Sequence, residues 1–152
     1  MNTAEKQLKI RALKNGTVLD HIPSKQLFRV IDILGLNTAT HQITFGINLE
    51  SAALGKKGIV KISDRFFEDD ELNKIALIAP KASINIIKNY EVVEKKKITI
   101  PSQIIGIARC MNPMCVTNKQ NIKTKFSTII KDDNISLLCY YCEKITNSKN
   151  CF

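Results

Sequence analysis

The 152-residue chain is poor in the side chains and motifs on which most catalysis depends. It contains two histidines and no tryptophan. The phosphate-binding loops G-x-x-x-x-G-K-[ST] and G-x-G-x-x-G, the serine elbow G-x-S-x-G and the zinc-protease motif H-E-x-x-H are all absent. Catalysis needs several nucleophilic or titratable side chains close together, and no such cluster is evident in the sequence. The sequence therefore gives no support to an enzyme, and we expect no catalytic residues.

Long apolar segments are missing as well. No run approaches the roughly 20 residues that span a bilayer, and the N-terminus has no apolar core of a signal peptide. We therefore expect neither secretion nor a membrane partner, and place the chain in the cytoplasm. Aromatic residues make up only 6% of the chain, and no basic, aromatic-lined strand emerges. This argues against a nucleic-acid partner despite a net charge of +9.

Four cysteines stand out against this background. They follow the pattern C-x4-C and C-x2-C in the last third of the chain: Cys110, Cys115, Cys139 and Cys142. Two loops that each deliver a pair of thiolates form a closed tetrahedral zinc site, whose role is structural because no position is left for a substrate. Two disulfides are the alternative, but a reducing cytoplasm favours metal-bound thiolates. We predict one structural zinc ion per chain, with Cys151 outside the site.

Residues 1–97 alternate strand and helix signals. Asn15-Gly16 predicts a hairpin between the first two strands, and Ser24 is the expected N-cap of the first helix. Strands are predicted near 8–12, 17–22, 42–49, 58–62, 83–87 and 90–93, and amphipathic helices near 24–34 and 69–79. Apart from the additional hairpin the order is βαββαβ. This order predicts an α+β domain with both helices on one face of a mostly antiparallel sheet.

Residues 98–152 form a second domain in this interpretation. The lysine run 95–97 and Pro101 mark the boundary, and beyond it no helical period is convincing. Short strands are predicted near 104–109, 125–130 and 136–139, with the cysteine pairs on the turns between them. An all-β module of this size lacks a sufficient core of its own, so metal binding should supply folding free energy.

One polar grouping in the first domain could bind an anion. Asp20 and His21 end one strand, Lys61 lies on a second and Lys95 follows a third. If the strands pair as predicted, a carboxylate suited to ribose hydroxyls faces two lysines suited to phosphates. Lysines on strands also commonly point to water, so these residues alone leave both interpretations open.

Several motifs together resemble those of the aspartate carbamoyltransferase regulatory chains. They are LKNGTVLDHIP at 13–23, APKASIN at 79–85, NYEVV at 89–93 and CYYCEK at 139–144. The resemblance implies a non-catalytic subunit with a ferredoxin-like N-terminal domain that binds ATP, CTP and UTP. It also implies a C-terminal zinc domain that docks on the catalytic chain, and a dimer of regulatory chains that bridges catalytic trimers in pyrimidine biosynthesis.

The resemblance also assigns individual residues. Asp20 and Lys61 would hold the ribose, and Lys95 with Lys61 the phosphates, although the run 95–97 leaves the contacting lysine open. The other residues expected to line the nucleotide pocket are Ile10, Ala12, Leu13, Val18, His21, Asn85, Ile87, Tyr90 and Val92. In the zinc domain, the residues expected to face the catalytic chain are Asn112, Glu143 and Lys144.

The main alternative is a zinc-ribbon nucleic-acid-binding protein. Its support is the basic charge and the adjacent Tyr140 and Tyr141, and salt-sensitive retention on RNA or DNA would distinguish it. A thiol redox enzyme based on Cys139 and Cys142 is a further alternative. It is disfavoured because this C-x-x-C pair follows a strand within a set of four cysteines, whereas a redox motif opens a helix.

Overall fold

Two antiparallel sheets organise the part of the chain that the computed structural model describes, residues 13–152. The first sheet has the order β2-β3-β1-β4-β5 and consists of β1 (Gly16–Pro23), β2 (Ile43–Ser51), β3 (Gly55–Ser63), β4 (Ser83–Lys88) and β5 (Glu91–Lys97). The second has the order β6-β7-β8-β9 and consists of β6 (Gln103–Ile105), β7 (Lys125–Lys131), β8 (Asn134–Cys139) and β9 (Ile145–Asn147). The helices are α1 (Leu27–Ile33), α2 (Asp69–Ile78) and the one-turn α3 (Val116–Lys119). The predicted two-domain α+β architecture is confirmed.

The core of the first domain lies between its sheet and two helices. Leu19, Val60 and Ile84 of the central strands are almost fully buried and belong to one apolar cluster with Val30 of α1 and Ile75 of α2. Successive side chains of a strand point to opposite faces, so the neighbours of these strand residues point away from the helices. We call that opposite side of the sheet the outer face.

The predicted hairpin at Asn15-Gly16 is wrong. β1 is a central strand with β3 on one side and β4 on the other, so both of its edges are paired from Gly16 to Asp20 and leave no edge for a hairpin partner there. Residues 8–12, the predicted partner strand, lie outside the described residues. Glycine is required at position 16 for another reason, because its φ is +145° and a Cβ there would lie 2.0 Å from the Ile62 carbonyl oxygen.

We expect Gly16→Ala to lower the free energy of unfolding of the first domain by about 3 kcal/mol, because the methyl group meets backbone in a strained conformation. Gly35→Ala is the matched control. Gly35 also has a positive φ, +66°, but no group lies within 4 Å of its Cβ position, so its cost should be about 1 kcal/mol. Urea unfolding followed by circular dichroism measures both variants, and equal losses would contradict the steric argument.

Most helices and strands lie where the local signals predict them, but β5 continues to Lys97 beyond the predicted end near 93, and β6 ends at Ile105 short of the predicted end near 109. α1 begins at Leu27 after a 3₁₀ turn, and Ser24 does not cap it, because its Oγ accepts a hydrogen bond from the Asn48 N–H at 3.2 Å. The sequence also does not predict β9 or α3, which are too short to show a period. α2 has the expected acidic first turn, with a capping box between Glu68 and Glu71.

The second domain has a separate small core. Phe126 and Leu137 of its sheet are fully buried with three of the four clustered cysteines and with Cys151. Leu77 of α2 is buried in the same cluster, so the first domain contributes a side chain to the core of the second. None of the helices between residues 13 and 152 has both the length and the apolar character needed to cross a membrane.

Candidate metal centre and ligand-binding face

Two short loops bring four cysteines of the second domain together. Cys110 and Cys115 lie on the loop before α3, and Cys139 and Cys142 lie on the turn that begins at the end of β8. The four Sγ atoms all lie within 4.8 Å of one another. The Sγ atoms of Cys110 and Cys142 are 3.6 Å apart, and those of Cys115 and Cys139 are 3.7 Å apart.

These separations fit one tetrahedral metal ion. Four sulfurs at a zinc–sulfur distance of about 2.3 Å lie about 3.8 Å from one another. A disulfide needs two sulfurs about 2.05 Å apart, and all the cysteines are free, so the alternative of two disulfides is wrong. Four thiolates converging on one point are a donor set typical of zinc, and the arrangement fits a metal at these residues.

Side-chain amides hold the first cysteine loop in shape. The Asn118 side chain donates hydrogen bonds to the carbonyl oxygens of Cys110 at 2.9 Å and Asn112 at 2.7 Å. Asn112 in turn accepts a hydrogen bond from the Met114 N–H at its Oδ1, at 3.1 Å. Asn112 therefore shapes the loop that delivers the first two sulfurs, in addition to the interface role predicted for it.

Backbone hydrogen bonds close the second cysteine loop. The Cys139 N–H donates to the Lys144 carbonyl and the Glu143 N–H donates to the Cys139 carbonyl, both at 3.0 Å. Glu143 has a φ of +60°, which turns the chain back on itself. Both Glu143 and Lys144, the other two residues predicted to face the catalytic chain, are exposed at the end of this turn.

The thiols differ in how strongly they hold a proton. Burial raises the pKa of the Cys110 thiol to about 12. Burial acts on Cys142 as well, but hydrogen bonds from the Asn112 side chain and the Lys144 backbone outweigh it and lower the pKa of Cys142 to about 7. The pKa is thus lowered for Cys142 and, by a hydrogen bond with Thr117, for Cys115, whereas burial raises the pKa of Cys110 and Cys139. A metal must displace the protons that the thiols retain.

An exposed apolar surface surrounds the two cysteine loops. It consists of Met111, Met114, Tyr140, Tyr141 and Ile145, and we call it the knuckle surface. The two tyrosine rings pack edge to face with centroids 5.3 Å apart, and the Lys125 ammonium lies 4.8 Å from the Tyr140 ring centroid. Exposed apolar clusters beside polar groups are typical of protein interfaces.

The predicted nucleotide residues of the first sheet share one face. Val18 pairs with Lys61 on one side and with Asn85 on the other, and Asn85 pairs with Lys95. Directly paired residues of antiparallel strands point to the same side. These four residues therefore form a row across β3, β1, β4 and β5 on the outer face, which Thr44 of β2 extends.

Asp20 lies on the same face and forms an ion pair that was not predicted from the sequence. Its carboxylate is 2.9 Å from the Lys57 ammonium. His21 has a φ of +58° where the register of β1 against β3 shifts, and its Nδ1 lies 3.0 Å from the Ser83 Oγ. The sequence interpretation missed Lys57 and Ser83, although the two-residue period of their strands indicates the outer face for both.

The strand register separates the lysines of the run 95–97. Lys95 pairs with Asn85 on the outer face, whereas Lys96 pairs with Ile84, whose side chain is buried on the helix side. Lys95 and also Lys97, which pairs with Ser83, therefore share a face with Lys61, whereas Lys96 does not.

A cleft of about 280 Å³ opens at the Lys61 end of the row. Three predicted residues, Leu13, Lys61 and Tyr90, line it together with four that were not predicted: Lys14, Gln42, Thr44 and Ser63. The Tyr90 N–H donates a hydrogen bond to the Lys14 carbonyl at 3.0 Å, which fixes the β4–β5 turn against the cleft. Burial lowers the pKa of the Lys61 ammonium below its ordinary value of 10.5.

The outer face also carries apolar side chains, with Val18 in the row itself and Ile87 beside it. Val18 and Ile87 are only 8% and 7% exposed, yet they belong to neither apolar core of the described chain, and Ile87 pairs with Val92 of β5. Ligand sites commonly combine such apolar walls with a few polar groups. Ile10 and Ala12, the remaining predicted members of the pocket, lie outside the described residues, and their roles stay predictions.

Comparison with known proteins identifies the family. The family model described as aspartate carbamoyltransferase regulatory chain, allosteric domain, matches residues 8–99, and that for the metal binding domain matches residues 102–151. The aspartate carbamoyltransferase regulatory chain of Bacteroides fragilis is 51% identical over 144 residues, 95% of this chain and 94% of the relative. That of Thermococcus sibiricus is 46% identical over 139 residues, 91% of each. The chain belongs to the family of aspartate carbamoyltransferase regulatory chains.

Proposed function

We propose that the chain is the non-catalytic, nucleotide-responsive subunit of an aspartate carbamoyltransferase. In this proposal residues 1–97 bind ATP, CTP and UTP, and residues 98–152 hold one zinc ion and contact the catalytic chain. The observation that carries the proposal is the row from Lys61 to Lys95 across the outer face. The two lysines at the ends of this row suit the phosphates of a nucleoside triphosphate, and the apolar Val18 and the amide of Asn85 between them suit its base.

The proposed roles on the outer face follow from position and charge. Lys61 and Lys95 bind the phosphates, and Asp20, oriented by Lys57, accepts hydrogen bonds from the ribose hydroxyls. The base lies against the apolar members of the set, while backbone groups of Tyr90 and its neighbours read its edge. Backbone N–H and C=O groups can distinguish adenine from cytosine without a dedicated side chain.

The proposed zinc ion is structural. Held by Cys110, Cys115, Cys139 and Cys142, it leaves no open position for a substrate, and it links the two loops that carry the knuckle surface. We therefore propose that the knuckle surface, with Asn112, Glu143 and Lys144 beside it, contacts the catalytic chain. Free thiols at this site also favour the cytoplasm as the location of the protein.

A second regulatory chain is proposed to pair along β2. Phe28, Phe45 and Leu49 form an exposed apolar patch at this edge of the sheet, with the two phenylalanine ring centroids 5.7 Å apart. The opposite edge strand, β5, carries three successive lysines. Lysines on an edge strand discourage pairing with another chain, so β2 is the favoured edge.

Regulation requires that a nucleotide bind the low- and high-activity arrangements of the complex with different affinities. A coupling free energy of about 1–3 kcal/mol between the effector site and the catalytic site is sufficient. ATP and CTP bound at one site would act in opposite directions if each favours a different arrangement.

Co-expression with an aspartate carbamoyltransferase catalytic chain tests the proposal. Native mass measurement should find both chains in one complex, and a chelator should release the catalytic chains as it removes the metal that stabilises the second domain. Failure of the two chains to copurify, or a complex that survives complete metal removal, would contradict the proposal.

As the pH rises, nucleotide binding should begin to weaken at a lower pH than it would if Lys61 had the ordinary pKa of a lysine. Phosphates bind the protonated ammonium, and the lowered pKa of Lys61 means that it loses its charge before exposed lysines do as the pH rises. We expect the Kd for ATP to increase as the pH is raised from neutrality toward 10.5. Calorimetric titration measures the effect, and Lys61→Arg should flatten it because a guanidinium stays protonated. The same pH profile in both proteins would contradict the assignment.

A further inference from the structure

The two domains meet along a seam between α1, α2 and the C-terminal 3₁₀ turn Ser148–Asn150. Leu77 of α2 is buried in the core of the second domain, in a cluster that includes Cys151. Arg29 of α1 crosses the seam, and its Nη2 donates a hydrogen bond to the carbonyl oxygen of Lys149. A cavity of about 70 Å³ lies beside this contact.

Residues on either side of the C-terminal turn are hydrogen-bonded to the first cysteine loop. The Arg109 N–H donates to the Cys151 carbonyl at 2.6 Å, and the Met111 N–H donates to the Thr146 Oγ1 at 3.0 Å. Arg109 and Met111 flank the first cysteine of the metal cluster, and Met111 belongs to the knuckle surface. The guanidinium of Arg29 therefore holds a turn whose flanking residues, Thr146 and Cys151, are hydrogen-bonded to the loop that carries part of that surface.

The same arginine is close in sequence to the ligand-binding face. β1 carries Asp20 and His21 and ends at Pro23, and α1 follows after a single 3₁₀ turn. A change in the position of this end of β1 would be carried by α1 to the seam. A second polar contact across the seam, Lys81 to Asp133 at 3.7 Å, is between two largely exposed side chains, and such surface pairs contribute little.

We propose that Arg29 is the positioning residue that couples the outer face to the knuckle surface. It does so by holding the C-terminal turn against α1, so that the turn and the first cysteine loop move with the effector domain. This inference rests on the proposed function and adds to it the contact through which the nucleotide signal reaches the second domain.

Arg29→Met in the complex with the catalytic chain tests the coupling. A hydrogen bond from a charged group is comparable in free energy to a typical allosteric coupling, so most of the difference in catalytic rate between ATP and CTP should be lost. The Kd of the isolated regulatory chain for ATP, and the zinc content and mass of the complex, should not change. Arg29→Lys, which keeps a charged donor, should restore part of the response, and Lys81→Gln is the matched control that should retain all of it.

Cys151 provides a second measurement that needs no nucleotide. It is fully buried, its Sγ donates to the Ser148 carbonyl at 3.0 Å, and burial raises its pKa to about 11. Releasing the turn in Arg29→Met should raise the rate of Cys151 alkylation roughly tenfold, although the Arg29 charge lowers the pKa of Cys151 and its loss acts in the opposite direction. Cys151→Ser identifies the modified thiol by peptide mass. Faster alkylation supports the Arg29 contact whether or not the wild-type complex responds to nucleotides. A wild-type complex whose rate does not change with ATP or CTP would overturn only the proposed function. An unchanged alkylation rate, or an undiminished nucleotide response in Arg29→Met, would overturn the inference.

Discussion

Cys139→Ser should remove the metal from the chain and unfold the second domain. Cys139 is buried in the core of that domain and supplies one of four converging sulfurs. Binding of structural zinc contributes about 10–16 kcal/mol in small zinc domains, where it is in effect the folding free energy. We expect elemental analysis to find less than stoichiometric zinc and native mass measurement to find no complex with the catalytic chain.

Cys151→Ser is the control for this variant. Cys151 is buried in the same domain, but it bonds to the Ser148 carbonyl and is not one of the four clustered cysteines. The serine variant should keep its zinc and its partner. A Cys139→Ser chain that retains one zinc ion, or that still assembles, would show that the thiol cluster is not the basis of the second domain's stability.

Lys61→Ala should strongly weaken nucleotide binding. Lys61 belongs to the row on the outer face and also lines the cleft beside it. A lysine–phosphate contact is a charge-assisted hydrogen bond, and its removal should raise the Kd for ATP and CTP at least about tenfold. Calorimetric titration of the regulatory chain with each nucleotide measures the loss.

Lys56→Ala is the matched control on the same strand. Lys56 is exposed and pairs with Glu50 at the far end of β3, where the alternation directs its side chain away from the outer face. It removes the same charge from the protein, so it should leave the Kd nearly unchanged. An equal increase in Kd in both variants would indicate a general effect of charge and would remove the support for a specific nucleotide site.

The metal cluster and the outer face could be predicted because both depend on short-range pattern. The spacing of the cysteines along two loops is nearly sufficient to bring their sulfurs together. Val18 and Asp20, like Asn85 and Ile87, are two residues apart on one strand, so alternation alone assigns each pair to one face.

The remaining features depend on contacts distant in sequence. Gly16 was interpreted as a turn residue, but its conformation is required by the approach of the Ile62 carbonyl from a neighbouring strand. The Asp20–Lys57 ion pair lies beside the register shift at His21, and no residue of β1 at that shift is a glycine that would indicate it. Local propensity cannot predict such features, because tertiary packing decides them.

The most direct test of the account is the catalytic rate of the reconstituted complex during titration with ATP and with CTP. The account predicts that at least one nucleotide changes the rate of the complex at subsaturating substrate, while the isolated catalytic subunit does not respond. A complex that contains this chain and its zinc, yet has the same rate with and without either nucleotide, would contradict it.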